Sequence, residues 1–286
     1  MSDYNSPNIG TLKFIPAGIF YGKDTNYNYN WKISAFHMSR YDITRAQFSN
    51  VMGTDPSDPS VATGTDDPVQ QVNWYQALVF CNKLSVKEGL TPVYSIKGST
   101  DPSTWGEIPM AAPDKTWDAV VANWSASGYR LPTVCEWCWA AMGADKANPG
   151  KFNNTGFFKA FPGSTGTNTN NIENYVWFTD NSDFKTHPVG AKLPNELGLF
   201  DMSGNVWQWC WDWGVNTAES LSGLTNLNEM PPSGSYTDWR GPGAATYRTK
   251  VGGCYDEDAS LCAISQMWGD APNSADCHLG FRVVRP

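Results

Sequence analysis

Gly198-Leu199-Phe200-Asp201-Met202-Ser203-Gly204-Asn205-Val206-Trp207-Gln208-Trp209 is the stretch on which the fold reading turns. Its Gly-Asn-Val-Trp-Gln-Trp run offers alternating aromatics for a buried strand. Upstream, Gly128-Tyr129-Arg130-Leu131-Pro132-Thr133 ends a loop, with proline set before a capped helix. That helix starts at Thr133, carries Glu136 three residues on, and ends near Met142-Gly143. A longer helix opens at Asn73-Trp74-Tyr75-Gln76 and closes at Gly89, with Ala77, Leu78, Cys81 and Leu84 forming one buried stripe. A third starts at the capping box Thr44-Arg45-Ala46-Gln47 and runs to Met52, with Gly53 ending it. Residues 11–22 read as two short strands around Pro16-Ala17-Gly18, Phe36–Tyr41 as another, and Gly280–Val284 as the last.

Beyond residue 145, short segments alternate with loop clusters such as Pro162-Gly163-Ser164-Thr165-Gly166 and Pro231-Pro232-Ser233-Gly234. Long loops on a scaffold tend to carry function. No internal repeat or linker is visible. Residues 11–286 therefore read as a single loop-rich α+β domain with few short helices, and 1–10 as an N-terminal extension.

Composition narrows the function. Apolar residues make up 41% of the 286 and charged residues 17%, so the chain can bury a sizeable core. Fourteen tryptophans need burial or line a recognition surface. A net charge of −8 and the lack of any Lys/Arg run set nucleic-acid partners aside. No run of about 18 apolar residues occurs, so no transmembrane segment is expected. The polar start Met1–Pro7 is not a secretory signal. Seven cysteines at irregular spacing read as free buried thiols rather than a disulfide framework.

Further motifs join the opening one in order. They are Tyr41-Asp42-Ile43-Thr44 with Gln47-Phe48, Pro68-Val69 through Val72-Asn73-Trp74, and Ala77 with Phe80-Cys81-Asn82-Lys83-Leu84-Ser85. Pro188-Val189-Gly190, Pro194-Asn195, Gly252-Gly253 and Gly280-Phe281-Arg282 follow. Together they resemble the formylglycine-generating-enzyme (sulfatase-modifying factor) family over roughly residues 11–284. The resemblance implies a C-type-lectin-like fold.

It also implies a catalytic centre, and there this sequence departs. Members of that family oxidise a substrate cysteine with two thiols, five residues apart, that hold copper(I), a soft metal preferring thiolate. Aligned on Gly252-Gly253, those positions are Glu257 and Cys262. Glutamate is a hard donor, so the expectation is a non-enzyme that requires no cofactor. Cys254, eight residues from Cys262, keeps the rival reading of a copper-dependent oxidase converting cysteine to formylglycine. Cys135-Glu136-Trp137-Cys138 lacks a second ligand pair for zinc and reads as packed thiols on one helix face. His37, His187 and His278 have no metal-ligand spacing. A structural calcium is implied by the resemblance at Asp201, Gly204, Val206 and Gln208, the last standing where the family usually has glutamate.

Residues 252–282 hold framework positions Gly252, Gly253, Ala263, Pro272, Gly280, Phe281 and Arg282, with a chemically incoherent mix between them. This segment resembles the variable region of diversity-generating-retroelement proteins, the TvpA type. By that resemblance the displayed, ligand-binding positions are Tyr255, Asp256, Asp258, Ser260, Leu261, Trp268, Gly269, Asp270, Ala271, Ser274, Asp276, Cys277 and His278. Tyr255 and Trp268 are candidate aromatic anchors. The four aspartates favour basic or polar ligands. Cys277 is expected to be exposed, as a liability or cross-linking point. The implied protein displays a diversified recognition surface towards an unknown protein or surface ligand. The resemblance also implies display at the cell surface, as a lipoprotein whose leader is absent from this chain. A carbohydrate-binding lectin is the third reading, suggested only by the fold.

Overall fold

Each of the three longer helices begins with a reciprocal cap. In helix α1 (Arg45–Met52) the Thr44 hydroxyl accepts from the Gln47 N–H at 3.2 Å. Gln47 Oε1 in turn accepts from the Thr44 N–H at 3.0 Å. Asn73 and Gln76 make the same exchange, both at 2.8 Å, at the start of α2 (Trp74–Lys87). After the short α3 (Lys115–Asp118), Thr133 and Glu136 cap α4 (Val134–Ala141). Gly53 closes α1 in the left-handed region at φ 85°, as expected. Every residue of α4 is buried, which places this helix inside the molecule.

The computed structural model describes residues 2–23, 28–144, 159–166, 168–214, 219–220, 234–243 and 245–286. Of the two loop clusters singled out in the sequence, 162–166 is described and 231–233 lies outside those residues. One sheet is antiparallel, in the order β1 (Tyr4–Ser6), β2 (Gly10–Ile15), β5 (Phe36–Ser39), β14 (Val284–Arg285). A second has β10 (Gly234–Thr237) parallel to β4 (Asn28–Ile33), which pairs with β3 (Gly18–Lys23). The third includes strands from residues 252–282. Its order is β13 (Leu279–Gly280), β8 (Trp207–Gly214), β11 (Tyr247–Val251), β12 (Gln266–Asp270), β9 (Glu219–Ser220). A small ribbon joins β6 (Tyr94–Ser95) to β7 (Val121–Ala122). Among the described residues, four α-helices and these sheets form the C-type-lectin-like α+β fold expected from the sequence.

Two expectations are corrected. Residues 2–10 are not a mere extension: β1 pairs with β2, and the Ser6 hydroxyl donates to Glu88 Oε1 at 2.5 Å. The segment lacks apolar alternation, and backbone pairing with polar contacts holds it instead. The single strand expected over 280–284 is two strands in two sheets. β13 lies beside β8 and β14 beside β5, and Phe281–Val283 cross between them fully buried. Arg282 secures the crossing by donating to the carbonyls of Ser39, Phe200 and Asp201.

Packing accounts for most of the aromatic content. Phe48, Phe80 and Phe281 meet with ring centroids 5.2–6.3 Å apart between α1, α2 and the crossing. Trp74, Trp137, Trp139 and Trp209 are fully buried. Indole N–H groups find partners there: Trp74 donates to Cys210 O and Trp209 to Val72 O. Cys135 and Cys138 pack as free thiols on α4, and burial pushes both thiols up. His187 is structural, stacked on Trp177 at 3.8 Å.

Candidate recognition face

Gly252 and Gly253 turn the chain out of β11 with φ of 97° and 72°. A side chain at Gly253 would meet Cys262 Sγ and the Leu261 carbonyl, both at 2.8 Å, so the turn admits no larger residue. Beyond it the main chain is pinned to the scaffold by backbone hydrogen bonds. Tyr255 N–H donates to Asn205 O at 3.1 Å, Thr179 N–H to Glu257 O at 3.1 Å, and Ile264 N–H to Ala160 O at 3.1 Å. Further on, Trp74 N–H donates to Pro272 O at 3.0 Å, Gln71 N–H to Asp276 O at 2.8 Å, and Trp207 N–H to His278 O at 2.7 Å. None of these bonds uses a side chain of the segment.

The first group of side chains gathers around His278. Its Nε2 is 2.9 Å from Asp256 Oδ2 and its Nδ1 is 3.2 Å from Asp276 Oδ1. The hydrogen bonds to Asp256 and Asp276 raise the imidazole to about 10, so the ring stays protonated. The same contact with His278 lowers Asp256. Burial pushes Asp276 up, but its bonds from His278 bring it below the usual carboxylate value. The Cys254 thiol donates to Asp256 Oδ1 at 3.1 Å. Tyr255 stacks on His278 at 5.3 Å and donates its hydroxyl to Cys277 Sγ at 3.3 Å.

A second group lies on β12 and the turn after it. Asp270 receives Lys250 Nζ at 3.1 Å, the Ser274 hydroxyl at 2.7 Å and the Ala271 N–H at 2.9 Å. Lys250 pairs across the ladder with Trp268 and lies 5.4 Å from the centre of the Trp207 ring. Trp268 Nε1 and Asn273 Oδ1 have no hydrogen-bond partner. Asp258, Ser260 and Leu261 occupy a third stretch, a turn closed by the Leu261 N–H on Asp258 O at 2.9 Å.

Burial revises three of the expected positions. Tyr255 is 2% exposed, so it supports the face from beneath and does not anchor a ligand on it. Gly269 is also buried, and Cys277 is half-buried rather than exposed. Asp258 and Ser260 are exposed, and the other expected side chains are half-buried. Lys250, Glu257 and Asn273 complete the face and were not among the expected ligand-binding positions, and the buried Trp207 lies beneath it. Lys250 enters the face as the cross-strand partner of Trp268, which residues 247–251 do not announce in sequence. Asp256, Glu257, Asp258, Asp270 and Asp276 stand against two cations, Lys250 and His278, so the face is acidic.

The catalytic positions implied by the resemblance are both built into this segment. Glu257 is half-buried, and burial followed by repulsion from Asp256 raises its carboxyl. Cys262 is fully buried and its Sγ faces the Cys254 carbonyl at 3.9 Å. Burial raises both Cys254 and Cys262, which keeps them as thiols.

The implied calcium donors are engaged elsewhere. Gln208 Oε1 accepts from Trp137 Nε1 and Arg282 Nε, each at 2.7 Å, while Gln208 Nε2 donates to Asp201 O at 2.8 Å. The Asp201 carbonyl also accepts from Arg282 Nη2 at 3.0 Å, and Asp201 Oδ2 accepts from the Gly190 N–H at 2.7 Å. Burial lifts the Asp201 carboxyl to about 6. Gly204 and Val206 are buried beside them. Arg282 thus takes the Gln208 oxygen and the Asp201 carbonyl, and a fixed guanidinium beside Asp201, Gly204, Val206 and Gln208 does not fit a calcium ion bound through Gln208.

A C-type-lectin-like scaffold with residues 252–282 pinned to it by backbone bonds defines the class: a formylglycine-generating-enzyme-type domain. The chain belongs to the family described as sulfatase-modifying factor enzyme 1-like domain, which it matches over residues 5–286. It is similar to Treponema denticola variable protein 1, at 30% identity and a TM-score of 0.80, over 100% of this chain and 99% of that one. It is 34% identical over 293 residues to the chaperone protein LppX of Paenibacillus barcinonensis, covering 96% of this chain and 89% of that protein. It is also 30% identical over 185 residues to the formylglycine-generating enzyme of Thermomonospora curvata, covering 59% of this chain and 53% of that enzyme.

Proposed function

We propose that this protein binds a ligand without catalysis, through a diversified recognition face formed by residues 252–282. The observation that carries this reading is the anchoring of the segment. Its path is fixed by main-chain bonds to Asn205, Thr179, Ala160, Trp74, Gln71 and Trp207, and by glycines that admit no side chain. Side chains between the anchors can therefore change while the path stays the same. A rigid scaffold beneath changeable side chains is how antibody loops work.

The chemistry of the present face favours a basic partner. Five carboxylates outnumber two cations, and Trp268 supplies apolar area. Similarity to a variable protein over the whole chain supports a binding role, and a relative named as a chaperone fits a protein ligand. Glutamate at one of the two thiol positions removes a copper(I) ligand and argues against oxidation of a substrate cysteine. Display at the cell surface, as a lipoprotein, belongs to the same proposal. Among the described residues no helix is long and apolar enough to cross a membrane.

The test is to sequence the DNA flanking the gene. The proposal expects a second copy of the segment encoding residues 252–282, differing almost only at adenines, beside a reverse transcriptase. Finding no such copy would remove diversification from the account.

A further inference from the structure

A cavity of about 210 Å³ shares no lining residue with residues 252–282. Its walls come from the turn between β4 and β5 (Ser34, Ala35, Phe36), the start of α4 (Thr133, Glu136), Trp124, Arg130, Asp238, Arg240 and Pro286. It is smaller than the roughly 300–1,000 Å³ of sites for drug-sized molecules, so it suits a fragment-sized ligand.

Four charged side chains line it, and three are satisfied by the protein. Glu136 accepts from Arg130 Nη1 and Nη2, each at 2.7 Å, and from the Thr133 N–H at 2.9 Å. That forked contact also occupies Arg130. Asp238 accepts from the Ser34 N–H and the Ser34 hydroxyl, both at 2.7 Å. Arg240 is different. Its guanidinium lies 3.8 Å above the Trp124 ring, and its Nε donates to the Asp238 carbonyl at 3.1 Å. No carboxylate forms an ion pair with it among the described residues, so its two terminal nitrogens keep their donors unused. Burial, followed by repulsion from Arg130, lowers its pKa, as expected of a cation in want of a counter-ion.

We propose that this cavity binds a small monocarboxylate, with the carboxylate forked onto the terminal nitrogens of Arg240. The planar guanidinium matches a carboxylate in a two-bond contact. Asp238 and Glu136 nearby disfavour a doubly charged anion such as phosphate. Phe36, Ala35 and Pro286 leave an apolar wall for the rest of the ligand.

Benzoate is the probe, with benzylamine and inorganic phosphate as controls, titrated against the full chain and followed by ligand-observed NMR and calorimetry. Benzoate is expected to saturate one site with a dissociation constant on the order of 1 mM, the scale open to so small a ligand. Benzylamine should not bind there, and phosphate should bind more weakly. Arg240→Gln, at a half-buried position that need not disturb folding, should weaken benzoate at least tenfold, with Arg240→Lys intermediate. Asp258→Asn and Trp268→Ala on the recognition face should leave it unchanged. Benzoate that fails to saturate, binds equally to Arg240→Gln, or binds no better than phosphate overturns the proposal.

Discussion

His278 holds two carboxylates at once, with Nε2 2.9 Å from Asp256 and Nδ1 3.2 Å from Asp276. The two residues flank it from opposite ends of the segment, 256 from the turn after β11 and 276 from the chain entering β13. One protonated ring therefore ties together the two halves of the face. Its pKa in the folded protein is raised from 6.5 to about 10. A group raised on folding stabilises fully below its unfolded value and loses that contribution as pH rises through the folded one. Wild type should therefore exceed His278→Gln in stability by about 1 kcal/mol near pH 6, a figure restrained by partial exposure. The gap should close between pH 6.5 and 10. Urea unfolding of both proteins across that range checks it.

Gln208 should matter as a hydrogen-bonding hub and not as a metal ligand. Gln208→Leu leaves Trp137 and the buried Arg282 guanidinium short of an acceptor, a loss of about 3 kcal/mol. Adding EDTA to wild type should leave the melting temperature unchanged. A fall of several degrees on chelation would contradict the account of these residues.

Asp212 gives a second pH signature, of opposite consequence at neutral pH. Burial raises its carboxyl from 3.8 to about 7, against the Val134 N–H that it caps, and its Oδ1 has no partner. Stability from this group is complete below 3.8 and lost as pH rises through 7. Asp212→Asn should therefore gain on wild type progressively as pH rises across that interval, measured by thermal melts at fixed ionic strength.

The thiols make a chemical prediction. Incubated with copper(I) and a cysteine-containing sulfatase peptide, the protein should yield no aldehyde. Its buried Cys254 and Cys262 should also react with thiol reagents far more slowly than half-buried Cys277. Mass spectrometry of the peptide and of the labelled protein reads both.

What was legible in the sequence was local chemistry. Thr44 with Gln47, Asn73 with Gln76 and Thr133 with Glu136 announce helix starts because each cap closes within four residues. The buried strand after Asn205 shows in its tryptophans. Sheet partners are chosen at a distance, so neither β1 nor the division of the last strand could be read from residues 4–6 or 280–284. The acidic character of the face followed from its aspartates. The burial of Tyr255 did not, because it depends on Ser182 and Cys277 coming close in space. Lys250 and Asn273 lay outside the variable pattern and join the face only through the ladder and the turn beside Met110.

The central claim is that the path of residues 252–282 does not depend on the side chains it displays. Two libraries test it, each scored for protease resistance on a display system. One randomises Asp258, Ser260, Leu261, Trp268, Ala271 and Ser274, and the other Gly252, Gly253, Tyr255, Cys262, Ile264 and Pro272. The account predicts that most members of the first library remain folded and few of the second do. Equal intolerance in the two sets would contradict it and make the segment an ordinary part of the core.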